Sequence, residues 1–537
     1  MFLAGAKNLE AHKDIINELN VFPVPDGDTG TNMTMTVMSA AKEVAELVDD
    51  AESLDMKVIT KAISSGSLRG ARGNSGVIMS QLCRGFCKII GGSDEIDRVL
   101  IARASERAVE SAYKAVMKPK EGTILTVAKA ACEKAVELSE DESVDLDGMI
   151  DAVIAYAKEV LEKTPEMLPV LKEAGVVDSG GAGLVEFLVG AQAAFRGEVT
   201  DFSLDATEQK EEKKSDEINL KYPYKTVITS VAIRNFNIKQ ENDFIDYLAS
   251  IGENAEVKVD GDKIDVDVQT ADPGLVIQKV LTFANIDKVT VENIAKELME
   301  MNTDTKEAEE EAPMEHKAVG FISVSVGDGI NSIFKDLGVD RIIEGGQTMN
   351  PSTEDILSAI EKVNADTIFL YPNNKNIVMA ANQARDLTKD KKIIVIPTKN
   401  IPQGITALIT FVPELSDEEN EAAMNEEIGN VSTGQVTYSV RDTEIDGFTI
   451  HENDIMGIGD KGMLAVGTDM AEVSFDMIGK IMEEKEDAEL ISIYYGADVT
   501  EADAEALKSK VEEAYSDCDV ELQYGGQPVY YYVVSVE

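Results

Sequence analysis

The sequence predicts a multidomain chain: a helical N-terminal region, a small α+β middle domain and a C-terminal α/β domain with a largely parallel sheet. Three observations predict it. Over the first 200 residues, glycine-bearing loops run directly into apolar residues at helical spacing. Two charge-rich, apolar-poor stretches, DATEQKEEKKSD at 205–216 and NTDTKEAEEEAPMEH at 302–316, have no buriable face and read as solvated linkers. Beyond the second, continuous apolar strands alternate with helices of about ten residues, the pattern of a parallel sheet covered on both faces. A chain of 537 residues splits into about three domains. They fall at 1–200, 218–300 and 317–537, joined by linkers at 201–217 and 301–316.

The first element, running to Asn20, begins inside an amphipathic helix with no cap, so the chain is expected to be short at its N-terminus. Next comes NVFPVPDGDTGTNM, Asn20 to Met33. Pro23 and Pro25 forbid a helix there, and Asp26-Gly27-Asp28 is a turn signal. In extended or turning backbone, residues two apart point the same way, so the carboxylates of Asp26 and Asp28 can converge on one small volume. Two such carboxylates suit magnesium, which is held by one or two carboxylates plus substrate phosphates. A bare surface turn without a ligand is the alternative.

A second loop, GARGNSG at 70–76, enters a helix carrying Val77, Ile78, Leu82 and Phe86 on one face, with Asn74 or Ser75 able to cap it. Unpaired N–H groups and the positive dipole end of such a helix make an anion site suited to phosphate; a plain capped helix is the competing reading. Two similar loops follow, PKEGT ending at Thr123 and VDSGGAG at 177–183.

Together, NVFPVPDGDTGTNM, GARGNSGVI, KPKEGTILTVAKAA and GVVDSGGAGL resemble the nucleotide-binding domain shared by the L subunit of dihydroxyacetone kinases and the catalytic A subunit of bacterial fatty acid kinase. The resemblance to the fatty acid kinase protein covers essentially the whole chain. It implies an N-terminal all-α barrel of antiparallel helices with ATP and Mg2+ in the loops at one end. It makes Asp26 and Asp28 magnesium ligands and places Thr31, Asn32, Asn74, Ser75 and Gly76 around the phosphates. Thr123 and Asp178, Ser179, Gly180 and Gly181 would close over the nucleotide. Dihydroxyacetone kinases carry a third Asp upstream of the pair, where the nearest polar residue here is Asn20. Arg72 is the nearest cation to the phosphate loop, placed either to neutralise transferring charge or to tie the loop down.

Composition narrows the partners. With 100 Asp plus Glu against 50 Lys plus Arg, the formal charge is −50, a field that repels nucleic acid and anionic membrane surfaces. No apolar run reaches the roughly 18 residues of a membrane span, and no signal peptide is visible, so a cytoplasmic location is expected. Cys83 and Cys87, one helical turn apart with no His beside them, read as core thiols.

In the middle domain the expected elements are a strand at 224–234, a helix at 241–251, two strands over 255–270 turning at Asp260-Gly261-Asp262, and a helix at 273–282. Members of the resembled family bind zinc here through a Cys in the first strand and a His-x-His pair. Lys225, Asp267 and Gln269 stand at those positions, and none is a ligand zinc prefers, so no zinc is expected. The domain reads as an adaptor or a dimerisation surface, which admits a homodimer. In the last domain, glycines, prolines and asparagines end the strands, either as a ligand edge or as plain strand ends. Gly457 to Gly462 formally matches GxGxxG but precedes a strand, so a hairpin is expected there and a dinucleotide site is rejected.

The resemblance implies an ATP-dependent kinase acting on a fatty acid carboxylate presented by a separate fatty-acid-binding B subunit, giving acyl phosphate. A triose kinase of the dihydroxyacetone type is the second reading, and an ATP-regulated acidic scaffold the third. Triose kinases hold their ketone through a His, and His12, His316 and His451 all lie outside such a context.

Overall fold

The computed structural model describes all residues except 22–26, 51–54, 94, 200–223, 233–243, 246, 249–250, 261–262, 271, 294–315, 347–349, 440–441 and 486. The first expected linker, all of the second except His316, and Asp26 therefore lie outside the described residues. Two compact units result: Met1–Leu204 with Glu315–Glu537, and Asp205–Met314.

In the larger unit, the helices expected from the first 200 residues are α1 (Phe2–Ala11), α2 (Lys13–Glu18), α3 (Thr29–Asp50), α4 (Met56–Arg69), α5 (Gly73–Ile90), α6 (Arg98–Ala115), α7 (Ile124–Ser139), α8 (Leu146–Glu162), α9 (Thr164–Met167), α10 (Pro169–Ala174) and α11 (Ser179–Phe195). Their shared core contains Leu9, Ile16, Met33, Val37, Met79, Leu125 and Val185. Helices α3 and α5 cross at very short range. A Cβ on Gly76 would lie 2.3 Å from Thr36 Oγ1, and one on Gly73 2.5 Å from Asn32 Nδ2, so only glycine admits this approach. Cys83 and Cys87 are buried free thiols on α5, as expected of core residues, and burial pushes both thiols up, Cys87 to about 12.

The smaller unit is a four-stranded antiparallel sheet in the order β2-β3-β1-β4, formed by β1 (Tyr224–Ala232), β2 (Gly252–Asp260), β3 (Lys263–Thr270) and β4 (Ala284–Asn293), with α12 (Pro273–Val280). Strand β4 was not among the expected elements. Lys225 is paired with Gln269 across β1 and β3, and its Nζ lies 3.6 Å from Asp267 Oδ2. Lys225, Asp267 and Gln269 are thus neighbours on two adjoining strands, the first two joined by an ion pair. Elemental analysis of protein dialysed without chelator should find well under one zinc per chain; one equivalent would show that other residues form a site.

The α/β region completes the larger unit. A parallel sheet, order β6-β5-β7-β8, comprises β5 (Lys317–Ser325), β6 (Arg341–Glu344), β7 (Ala365–Tyr371) and β8 (Lys392–Val395), interleaved with α13 (Asp328–Asp336), α14 (Thr353–Lys362) and α15 (Val378–Leu387). After α16 (Ile401–Ile409) and α17 (Asp417–Glu427), a second, mixed sheet is built from β9 (Ser432–Tyr438), β12 (Ile455–Gly459), β13 (Met463–Gly467), β14 (Leu490–Tyr495), β15 (Asp519–Tyr524) and β16 (Tyr532–Val536). A small pair, β10 (Thr443–Ile445) and β11 (Phe448–Ile450), and two helices, α18 (Met470–Glu484) and α19 (Glu501–Ala514), accompany it. Strands β12 and β13 form the expected hairpin around Gly459 and Gly462. At the strand-end edge, Asn373 turns inward to donate to Ser323 Oγ and Val324 O, leaving a cavity of ≈ 20 Å³, room for about one water.

The N-terminal helices and the parallel sheet share one core: Ala71 and Val77, at the start of α5, are buried with Ile322, Ile356, Ile368 and Ala381 of the α/β region. Gln383 on α15 adds hydrogen bonds to Leu68 O and from Gln81, each 2.8 Å.

Candidate functional site

Four helix starts meet at one end of the helical region, and polar side chains tie them in pairs. Asn20, 2 % exposed, accepts at Oδ1 from the hydroxyls of Thr29, at the start of α3, and Ser179, at the start of α11. Asp178 caps α11 by accepting from Gly181 N at 2.7 Å and also takes the N–H of Ile124, the first residue of α7. At the α3–α5 crossing, Arg72 N donates to Thr36 Oγ1 at 3.3 Å. Asp28 directly precedes α3, with its carbonyl accepting from Asn32 N at 2.8 Å and its side chain half-buried at the mouth of this cluster.

Helix α5 starts at Gly73, not after Asn74 or Ser75. Arg72 holds the cap position in extended conformation, and among the described residues no side chain caps the helix. The reason is steric. Gly73 takes φ +59° against Asn32, a turn that places Asn74 and Ser75 inside the first helical turn. The first N–H groups of α5 therefore lack an intrahelical acceptor and face the positive end of its dipole.

The other expected residues separate into two groups. Thr123 caps α7 only by position, since its hydroxyl donates to Lys120 O. Thr31 is engaged on both its hydroxyl and its N–H by Asn17 of α2, at 3.0 and 3.1 Å. Ser179, Gly180 and Gly181 are buried in the first turn of α11. Arg72 donates from Nη1 to Asn350 O at 2.9 Å and lies 3.6 Å from Asp355, so in this structure it fastens the loop at 70–76 to the α/β region. Asn74 is likewise bonded to Asn376 at 3.0 Å. Three residues the sequence did not single out thus reach the site: Asn17, Asn350 and Asn376.

Burial pushes the Asp178 carboxyl from 3.8 up to about 7, against the lowering effect of its two backbone N–H donors. Between these values the folded chain keeps a proton that the unfolded chain has released. The stabilising contribution of this group is therefore full below about 3.8 and lost as pH rises through about 7. Asp178→Asn, uncharged at every pH, should remove that slope: the gap in Tm between wild type and variant should change across this window and be flat outside it. A gap constant from pH 4 to 8 would place the carboxyl at its ordinary value.

These helix starts, with the Asp28 carboxylate at their mouth, close one end of the helical domain. Comparisons with known proteins place it further. Residues 23–193 match the DAK2 domain model, and residues 320–537 match the FakA-like C-terminal model, which describes proteins similar to the A component of fatty acid kinase. Protein YloV of Bacillus subtilis is 42 % identical over 548 residues, covering 100 % of this chain and 98 % of the relative. An uncharacterized protein of Staphylococcus aureus strain USA300 is 40 % identical with the same coverage. Among solved structures, the Streptococcus pneumoniae fatty acid kinase B3 protein loaded with linoleic acid aligns at TM-score 0.27 and 16 % identity, over 35 % of this chain and 76 % of that one. The chain belongs to the fatty acid kinase A-like family with an N-terminal DAK2 domain, and is a kinase of the fatty acid kinase system. Its cofactor is ATP.

Proposed function

We propose that this protein transfers the γ-phosphoryl group of ATP to a fatty acid carboxylate held by a separate fatty-acid-binding protein. A carboxylate oxygen bonds to the γ-phosphorus, the bond to the ADP oxygen breaks, and acyl phosphate leaves. The convergence of four tied helix starts on Asp28, with the first turn of α5 open to an acceptor, is the observation that carries this reading. A fatty carboxylate is already ionised at neutral pH and needs no general base, so the site has only to position the reactants and neutralise charge. Loop amides at Gly73, Asn74 and Ser75 serve the phosphates, with Gly76, whose N–H goes to Arg72 O at 3.1 Å, allowing the close approach to α3, Asn32 and Thr31 holding the adjoining turn, and Thr123 and Asp178 to Gly181 shaping the far side.

The donors described at the mouth, a half-buried carboxylate at Asp28 and nearby neutral oxygens, suit magnesium, and the sequence adds a second carboxylate, Asp26, two positions before Asp28. Asp26 and Asp28 are the residues that would hold it, and Asn20 joins them only by giving up its bond to Thr29. Bound there, the ion supplies neutralisation of phosphate charge. Arg72 reaches the transferring group only after leaving Asp355.

The histidines favour the carboxylate over a ketone acceptor. His12 Nδ1 is held 2.7 Å from Asn8 O on α1, His316 lies 3.1 Å from Asp366, and His451 lies 3.6 Å from Asp442. None belongs to the helix-start cluster. We place the reaction in the cytoplasm and assign the middle unit to homodimerisation or adaptation. The experiment is ATP turnover with and without a lipid-loaded fatty-acid-binding protein; turnover of dihydroxyacetone would replace this reading with the triose one.

A further inference from the structure

The segment Asn350-Pro351-Ser352-Thr353 is buried along its whole length against the start of α5, although it comes from the α/β region. Thr353 N donates to Ala71 O at 3.0 Å, Arg72 holds Asn350 O, and a capping box between Ser352 and Asp355 starts α14 at once. Asn350 is therefore held by its own carbonyl and by the segment that follows it. Its side chain, 2 % exposed, points at Asp28: Nδ2 donates to Asp28 Oδ2 at 2.5 Å and has Asn32 Oδ1 at 3.5 Å. Both neighbours are acceptors, which decides the orientation of the amide. Asn350 Oδ1 is consequently left buried with no hydrogen-bond partner among the described residues.

An orphaned buried acceptor is costly, and here it sits beside a carboxylate whose other oxygen is not used by Asn350. A donor supplied by a ligand would relieve it, and the water shell of a cation on Asp28 is such a donor, since magnesium keeps several of its waters.

We propose that Asn350 is a positioning residue of the kinase site: it orients Asp28 through Nδ2 and accepts from a water on the bound divalent cation through Oδ1. This rests on the reading of Asp28 as a metal ligand. The nucleotide site is then built from both halves of the larger unit, with a carboxamide from the α/β region setting the carboxylate that the helical region supplies. Groups one shell out from a metal commonly set its affinity by about ten- to a hundredfold.

The test uses the full chain, titrating Mg2+ against a non-hydrolysable ATP analogue with thermal stabilisation and calorimetry as readouts. Asn350→Ala should raise the Mg2+ concentration for half-maximal stabilisation at least about tenfold, with binding of the analogue in EDTA unchanged. Asn350→Asp should shift it the opposite way, to lower Mg2+, because two facing carboxylates repel until a cation joins them. A residue that merely plugs the interface would shift both variants alike or neither; either result overturns the proposal. Asp28→Ala is the control for the underlying reading: if it keeps the wild-type Mg2+ dependence, the metal assignment fails independently of Asn350.

Discussion

Asp28→Ala should abolish phosphoryl transfer while leaving the protein folded. Losing a carboxylate that holds the phosphate-bound cation removes several kcal/mol of transition-state stabilisation, so turnover should fall at least about a thousandfold. Little of the fold depends on this side chain. It is half-buried, its carboxylate is bonded to Asn350 Nδ2, and that amide keeps Asn32 Oδ1 within reach once the carboxylate is gone. Asp26→Ala should behave in the same way. The measurements are turnover, far-UV circular dichroism and the rise in Tm on adding Mg-ATP. A variant that still transfers phosphate and still gains stability from Mg-ATP removes Asp28 from the site.

The second large effect is dependence on a partner. Alone, the chain should phosphorylate neither free fatty acid nor dihydroxyacetone at a useful rate, and adding a lipid-loaded fatty-acid-binding protein should raise acyl phosphate formation by orders of magnitude. An acyl chain needs an apolar pocket of several hundred cubic ångströms. The strand-end cavity has ≈ 20 Å³, and the wider groove of ≈ 430 Å³ between α4 and the ends of α14 and α15 is rimmed by Arg69, Glu361, Lys389, Asp390 and Lys391. Neither suits an acyl tail. A net charge of −50 implies a partner with a basic docking face and an encounter rate that falls as salt rises. Equal rates with free fatty acid and with the loaded partner would end this division of labour.

Much of the helical cradle was legible because its signals are local. Proline, glycine and carboxylates in short loops ahead of apolar periodicity mark helix starts, and α3, α5, α7 and α11 begin within or beside the loops so marked. The expected start of α5 lies two to three residues late, because Asn74 and Ser75 are good caps while Gly73 is needed for contact with Asn32, a residue some forty positions earlier. Asp178 looked like part of a phosphate loop, and its burial against α7 could not be read from a string of small residues. Strand β4 was missed because its alternation is interrupted by charge at Asp287 and Lys288. Asn350, Asn376 and Gln383 were out of reach altogether: each meets its partner across roughly 300 residues, and Asn350 beside Pro-Ser-Thr carries no local signal beyond a helix start.

The burial of Ala71 and Val77 in the α/β core has a thermal consequence. Because Ala71 and Val77, on either side of the first turn of α5, are interior to both halves of the larger unit, neither half can melt without exposing apolar surface of the other. Heat should therefore dissolve helical region and parallel sheet in one cooperative step, and a nucleotide bound at the helix starts should slow amide exchange in β5 and β7 as well as in α5. In calorimetric language the loop at 70–76 and the sheet it rests on are one foldon, although more than 240 residues of chain separate them.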